Sequence, residues 1–253
     1  RDYQQFGAQI VTSRNKVYQR AELIIKVKEP SIDEALLLSP QQTLFTYLHL
    51  AANSILTEKL MHTGACCIAY ETVTAENSTL PLLSPMSEIA GKVAIQAAMK
   101  ALETHSGGLG VLIGGVTGVA PAKVVIIGGG VVGRNAAKIA NGLGAHVTIF
   151  DNNLSTIQTI DKEFNGNVTA LFSTNSLVNE YISRADIVVG AILIAGAKAP
   201  HLLKKQQVTA MKKGAVIVDV AIDQGGCIET SRPTTHQHPT FEKYGITHYC
   251  VTN

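Results

Sequence analysis

Residues 123–151 read K-V-V-I-I-G-G-G-V-V-G-R-N-A-A-K-I-A-N-G-L-G-A-H-V-T-I-F-D. An apolar run meets three glycines, a helix-like segment follows, and a second apolar run ends in Asp151. The pattern is strand, turn, helix and strand, with G-x-G-x-x-G filled by Gly128, Gly130 and Gly133. Each glycine has its own task. Gly128 permits a tight turn, Gly130 lets the backbone approach a pyrophosphate, and Gly133 lets the helix lie against the strand. The pyrophosphate would rest on the free N–H groups of the helix N-terminus, and Asp151 stands where an acceptor for a ribose diol is expected. The plain alternative is a glycine-rich turn in an ordinary βαβ unit. Against it, strand, helix and terminal acid are all in place. A carboxylate at 151 repels a 2′-phosphate, and Asn152 and Asn153 bring no cation, so NAD is expected rather than NADP.

Outward from this unit the alternation continues. Toward the C-terminus, helices are expected at 154–164, 176–183 and 206–212, and strands at 167–172, 186–192 and 215–222. D-Q-G-G-C follows at 223–227, then an irregular segment with Pro233, His236, His238 and Pro239, and a last strand at 246–251. Toward the N-terminus, a short helix is expected at 2–8 and a buried strand at 21–27, stopped by Pro30. A short helix at 32–38, a strand at 43–50 with His49 near its end, a helix at 55–61 and a strand at 66–72 complete this half. The order β-α-β-α-β implies a parallel sheet, and ligands gather at the carboxyl ends of such strands. Lys28 and His49 both stand there. Asn77 and Ser78 read as a polar turn, and a helix at 86–104, with Ile89, Val93, Ala97 and Leu102 at helical spacing, joins the halves. The expected fold is α/β, with two Rossmann-like doubly wound parallel-sheet domains, the first incomplete. Residues 1–82 would form a partial substrate domain and residues 83–253 the NAD-binding domain.

A chain of 253 residues suffices for one large or two modest domains. The formal net charge of +2, with no basic stripe, argues against nucleic acid and against an anionic membrane surface. Gly, Lys or Asp interrupts every apolar run before it could span a bilayer. Cys66, Cys67, Cys227 and Cys250 show neither C-x-x-C spacing nor a disulfide framework, which points to a reducing, cytoplasmic compartment. Arg1 is neither an initiator Met nor part of a signal peptide, and the chain ends abruptly on Asn253 just after an apolar run, so a fragment is expected.

Several stretches resemble the alanine dehydrogenase family, within the wider group that includes the NAD-binding subunit of nicotinamide nucleotide transhydrogenase. They are K-V-K-E-P (26–30), L-F-T-Y-L-H-L-A-A (44–52), A-Y-E-T-V (69–73), S-P-M-S-E-I-A-G (84–91), G-G-V-T-G-V, the nucleotide loop, V-D-V-A-I-D-Q-G-G-C (218–227), S-R-P-T-T and H-Y-C-V-T-N. The resemblance covers essentially the whole chain. K-V-K-E-P and D-Q-G-G-C are shared across the group, whereas F-T-Y-L-H-L-A-A with its histidine favours the dehydrogenase. It implies reversible oxidative deamination of L-alanine to pyruvate and ammonia with NAD, in a homohexamer. It also implies that Lys28 holds the substrate, His49 is the acid/base and Asp223 completes the active site. Ser87, Val131, Val132, Asp151, Ser173, Ile192, Leu193, Val220, Arg232 and Asn253 would line the dinucleotide. The family pattern departs from this chain in three places. It has residues before Arg1, among them an arginine that pairs with the substrate carboxylate. It continues past Asn253, and it commonly has a proline where Thr117 stands.

The chemistry needs a cation for the substrate carboxylate or carbonyl oxygen and a group titrating near neutral pH. Lys28 suits the first role and His49 the second. Asp223 suits the orientation of a water, the imidazole or the substrate amine. Each residue also has a plainer reading. A lysine after a strand is usually a solvated strand end, a histidine in an apolar strand is more often a satisfied core residue, and Asp223 before Gly225 and Gly226 can simply cap a turn. His236 and His238 form H-x-H without an acid or thiol at ligand spacing, so a solvated loop is expected rather than a metal site. Cys66 and Cys67 are expected to be inert core. Two rivals stay open: a transhydrogenase NAD-binding subunit, and a non-catalytic NAD-binding module.

Overall fold

The computed structural model describes residues 2–76, 79–194 and 196–252. The polar turn expected at Asn77 and Ser78, and the cofactor contact expected of Asn253, lie outside the described residues. The chain divides into two compact units, Arg1–Leu83 and Ser84–Asn253.

The first unit contains α1 (Asp2–Gln5), α2 (Arg14–Arg20), β1 (Leu23–Ile25), α3 (Ile32–Ala35), β2 (Thr43–Thr46), α4 (Ser54–Thr63) and β3 (Cys66–Ala69). Among the described residues its strands form a three-stranded parallel sheet in the order β1-β2-β3. Local chemistry sets the helix ends. Ser31 and Glu34 form a reciprocal capping box on α3, while Asn53 caps α4 and Gly64 ends it in the left-handed region. One sheet face packs Ile24 and Leu44 with Tyr18, Leu38, Leu56 and Leu60 into a small core. Buried Gln42 donates to the carbonyls of Tyr18 and Ala21, which ties α2 to the start of β2.

The second unit runs through α5 (Ser84–Leu102), β4 (Lys123–Ile127), α6 (Val131–Gly142), β5 (His146–Asp151), α7 (Leu154–Phe164), β6 (Thr169–Phe172) and α8 (Asn175–Arg184). It continues with β7 (Ile187–Gly190), α9 (Lys205–Thr209), β8 (Val216–Asp219), β9 (Thr240–Lys243) and β10 (Ile246–Tyr249). Its sheet has the order β6-β5-β4-β7-β8-β10-β9, parallel except for the antiparallel edge strand β9. The chain proceeds outward from β4 to β6, returns beside β4 as β7, and builds outward the other way. That reversal between β4 and β7 is the switch point at which doubly wound sheets bind ligands. Cores lie on both faces: Val124 and Ile126 enter one, Val125 and Ile127 the other. This is why β4 is apolar throughout rather than alternating.

The structure corrects several expectations. The strand expected at 21–27 shortens to β1 and is buried on one face only: Ile24 is 5% exposed, Ile25 63%. A three-stranded sheet with a core on one face leaves the other face's residues in solvent. The second strand stops at Thr46, so His49 lies beyond it. Of the α5 residues read at helical spacing, Leu102 is buried but Ile89 and Val93 are exposed. Ile89 is 55% exposed, and the buried stripe is Ser87, Gly91, Ala94, Ile95, Ala98, Ala101 and Leu102. Small residues win there because α5 lies hard against α6: a Cβ on Gly91 would strike the Val132 carbonyl. Helix α2 and strand β9 were not anticipated, and Cys66 is exposed rather than core. Among the described residues no helix is long and apolar enough to cross a membrane.

Candidate active site

The glycine turn lies at the switch point and separates two kinds of glycine. Gly128 has φ +105°, and a Cβ there would lie 2.8 Å from the Ala191 carbonyl oxygen. A Cβ on Gly133 would overlap the Gly128 carbonyl, so α6 sits against the turn only because that side chain is missing. The protein itself demands both residues. Gly130 differs: its φ of −70° suits any residue, and a Cβ would meet no atom within 4 Å. Nothing in the chain requires glycine there, so the space it leaves open suits a ligand. Gly130 is also the N-cap of α6 and supplies no side-chain acceptor, leaving the first N–H groups of the helix without a side-chain cap. These features fit a dinucleotide pyrophosphate.

Asp151 ends β5. Its Oδ2 accepts the Gly129 N–H at 2.7 Å and its Oδ1 accepts the Asn153 N–H at 2.8 Å. Each oxygen retains a lone pair for a hydroxyl. Other residues expected at the dinucleotide follow the carboxyl ends of neighbouring strands. Ser173 follows β6 and donates its N–H to the Asp151 carbonyl, Ile192 and Leu193 follow β7, and Val220 follows β8. Val131 and Val132 open α6, and Ser87 is buried in the first turn of α5. Arg232 is exposed, its guanidinium 4.3 Å from the centre of the Phe241 ring.

The first unit gathers Lys28, Glu29 and His49 at the carboxyl edge of its small sheet. Buried Thr46 donates its hydroxyl to the carbonyls of Val27 and Lys28, at 3.1 and 2.9 Å, and so fastens the K-V-K-E-P turn to β2. His49 is half-buried and left-handed, φ 49° and ψ 37°, where non-glycine residues are uncommon. Its Nδ1 lies 3.7 Å from Glu29 Oε2, an ion-pair distance rather than a hydrogen bond. That oxygen is buried and has no hydrogen-bond partner among the described residues. The imidazole beside it pulls the Glu29 carboxyl down to about 2, against the upward push of burial. The Tyr47 ring stacks on the imidazole with centroids 6.0 Å apart, and Tyr70 meets Tyr47 edge-on at 5.0 Å.

Asp223 is half-buried in a 3-10 turn, Val220–Gln224, that follows β8 in the second unit. Asp219, at the end of β8, holds the loop after that turn: its carboxylate accepts the N–H groups of Cys227 and Ile228 at 3.2 and 3.1 Å. Burial raises the Asp219 carboxyl and pushes the Cys227 thiol well above its ordinary range, which makes Cys227 a packing residue. His236 and His238 are exposed. Thr46, Glu71 and Asp219 were not picked out from the sequence. The available signal was a polar residue inside or directly after an apolar run, which calls for a partner that cannot be located without the fold.

Sequence profiles described as "Alanine dehydrogenase/PNT, N-terminal domain" and "Alanine dehydrogenase/PNT, C-terminal domain" match residues 1–90 and 94–253. The chain belongs to the alanine dehydrogenase/PNT family. It is 51% identical to the alanine dehydrogenase of Halomonas elongata over 252 residues, covering 100% of this chain and 68% of that one. The Methanococcus maripaludis alanine dehydrogenase is 52% identical, with the same two coverages. An L-alanine dehydrogenase structure superposes with TM-score 0.87 at 50% identity over 100% of this chain and 70% of its own. A transhydrogenase from Sinorhizobium meliloti does so with TM-score 0.76 at 25% identity, over 99% and 72%. Within this family the α/β architecture with parallel sheets is shared.

Proposed function

We propose that the chain carries the cofactor and acid/base groups of an NAD-dependent alanine dehydrogenase, which interconverts L-alanine with pyruvate and ammonia. The single observation that carries this reading is the turn at His49, which puts an imidazole beside Glu29 on the edge that holds Lys28. A pure dinucleotide module has no use for that cluster. The family match and the relatives' names support the same reading.

When bound, NAD supplies the acceptor for the hydride leaving the α-carbon of alanine. Gly128, Gly130 and Gly133 with the α6 N-terminus would hold its pyrophosphate, and Asp151 a ribose, favouring NAD over NADP. The Lys28 ammonium neutralises the substrate carboxylate or polarises its carbonyl oxygen. His49 takes the proton from the water that adds to the imine carbon, then returns one to the departing amine. The nearby Glu29 carboxylate favours the imidazolium formed midway. Asp223, in the second unit, is the carboxylate proposed to orient water or the amine. The reading extends to a homo-oligomer, which the mass in solution checks.

The test follows NADH absorbance in full-length protein given NAD and L-alanine at alkaline pH, with His49→Ala alongside. NADH should appear with alanine and fall by a factor of about 10² to 10⁴ in the variant. NAD binding without turnover of any small L-amino acid would sink the proposal. It would leave the hydride-transfer subunit suggested by the likeness to the Sinorhizobium meliloti transhydrogenase.

A further inference from the structure

The A-Y-E-T-V stretch has so far no role in the chemistry, yet it contains the best-buried acid of the first unit. Glu71 is 4% exposed and lies in a 3-10 turn, Tyr70–Thr72, directly after β3. Its Oε1 accepts the His49 N–H at 2.7 Å and the Leu48 N–H at 3.2 Å, and its Oε2 stands 3.3 Å from the Leu48 N–H. Two successive backbone donors therefore converge on one carboxylate. The segment they belong to is the left-handed turn at His49 that ends the run from β2 and enters the 3-10 helix Leu50–Ala52.

We propose that Glu71 is a positioning residue, whose carboxylate holds the backbone of Leu48 and His49 in the turn from which the imidazole works. The inference rests on the reading of His49 as the acid/base group. The left-handed region is uncommon for a residue with a Cβ, histidine included, so a contact that holds the turn stabilises it. With the backbone extended instead, residue 49 would continue the line of β2 and its side chain would leave the place beside Glu29. Buried N–H groups demand acceptors. Glu71 is an acceptor for both, and two successive N–H groups converge on one carboxylate only where the chain has left the extended strand. The residue before it adds to the hold, since Tyr70 packs edge-on against Tyr47, whose ring lies on the imidazole. Adjacent residues of the β3 end thus grip the His49 segment through its backbone and through its stacked ring.

The charge matters as well as the shape. A glutamine at 71 can keep one carbonyl oxygen where Oε1 stands, but its NH2 group must then face the Leu48 N–H. Glutamine should therefore restore the turn in part, and alanine not at all. A displacement of reacting groups by about 1 Å can cost on the order of a hundredfold in rate.

The experiment is a double-mutant cycle on full-length protein, reading NADH formation from L-alanine. Glu71→Ala should lower kcat about a hundredfold and leave the KM for NAD unchanged, while Glu71→Gln recovers to within about tenfold of the parent. In a His49→Ala background neither change at 71 should lower the residual rate further, because residues acting as one unit are not additive. A purely structural role predicts the opposite: the loss at 71 persists when His49 is already gone, and that result would overturn the proposal. So would a Glu71→Ala enzyme with kcat within twofold of the parent. If Glu71→Ala does not fold, Glu71→Gln carries the same cycle, with a roughly fivefold loss expected when His49 is present and none in the His49→Ala background. Normal turnover by His49→Ala would instead remove the acid/base reading itself. A slow His49→Ala enzyme beside an unaffected Glu71→Ala enzyme removes only the role of Glu71.

Discussion

Strands β1 and β4 carry similar apolar text, L-I-I and K-V-V-I-I, and end in different surroundings. The β4 strand is central in a seven-stranded sheet with cores on both faces, and Val124 through Ile127 are all buried. The β1 strand is the edge of a three-stranded sheet with its core on one face, and only Ile24 is buried. Hydrophobicity therefore sets what a strand is able to bury, while its place in the sheet sets what it does bury. The same contrast separates the candidate residues of one unit from those of the other. The second unit shapes its nucleotide turn by omission, with glycines where side chains would collide. The first unit shapes its histidine turn by attachment, with Thr46 and Glu71 holding carbonyl and N–H groups of the chain.

The largest expected effect comes from filling the omissions. Gly133→Ala puts a Cβ into the Gly128 carbonyl, and with backbone on both sides neither can give way. A loss of about 3 kcal/mol or more is expected, read as a lower urea midpoint. Gly130→Ala should leave the midpoint unchanged or slightly raised, because the new methyl meets no atom within 4 Å. It should nevertheless weaken NAD at least tenfold, about 1.4 kcal/mol, in a calorimetric titration. Equal stability losses at the two positions would end the distinction between a glycine the fold needs and one the ligand needs.

Next in size is the pair Ile24 and Ile25, one residue type at adjacent positions of β1. Ile24→Ala should cost about 2–4 kcal/mol by emptying the small core. Ile25→Ala, on the open face, should change stability by no more than about 0.5 kcal/mol. Comparable losses, measured on this chain by chemical denaturation, would show that the face bearing Ile25 is covered.

The smallest effect is electrostatic. The Glu29 carboxyl titrates near 2 in the folded chain, below an unfolded glutamate near 4.3. A depressed folded value means that stability from this group is present above about 4.3 and is lost as pH falls from there toward 2. The side chain is 37% exposed, so solvent screening holds the contribution to under about 1 kcal/mol. Glu29→Gln should flatten the acid limb of stability in that window. An identical acid limb would mean that the imidazole beside it does nothing for the carboxylate in solution.

The alternation of strands and helices, the nucleotide turn and the acid at 151 could all be read in advance, because they depend on neighbours within a few residues. A tight turn needs glycine at 128, helix α7 begins where Asn153 can cap it, and a central parallel strand must be apolar throughout. What waited for the fold depends on partners far along the chain. Glu71 reaches back 22 residues to hold the His49 N–H, and Asp219 reaches across the D-Q-G-G-C loop. Helix α5 chose its buried face because α6 lies close against it, and β9 formed because β10 offered an edge. Periodicity and turn chemistry are local energies that the sequence writes directly. The conformation at His49 and the open face of β1 are set by what the rest of the chain places beside them, and only three dimensions supply those neighbours.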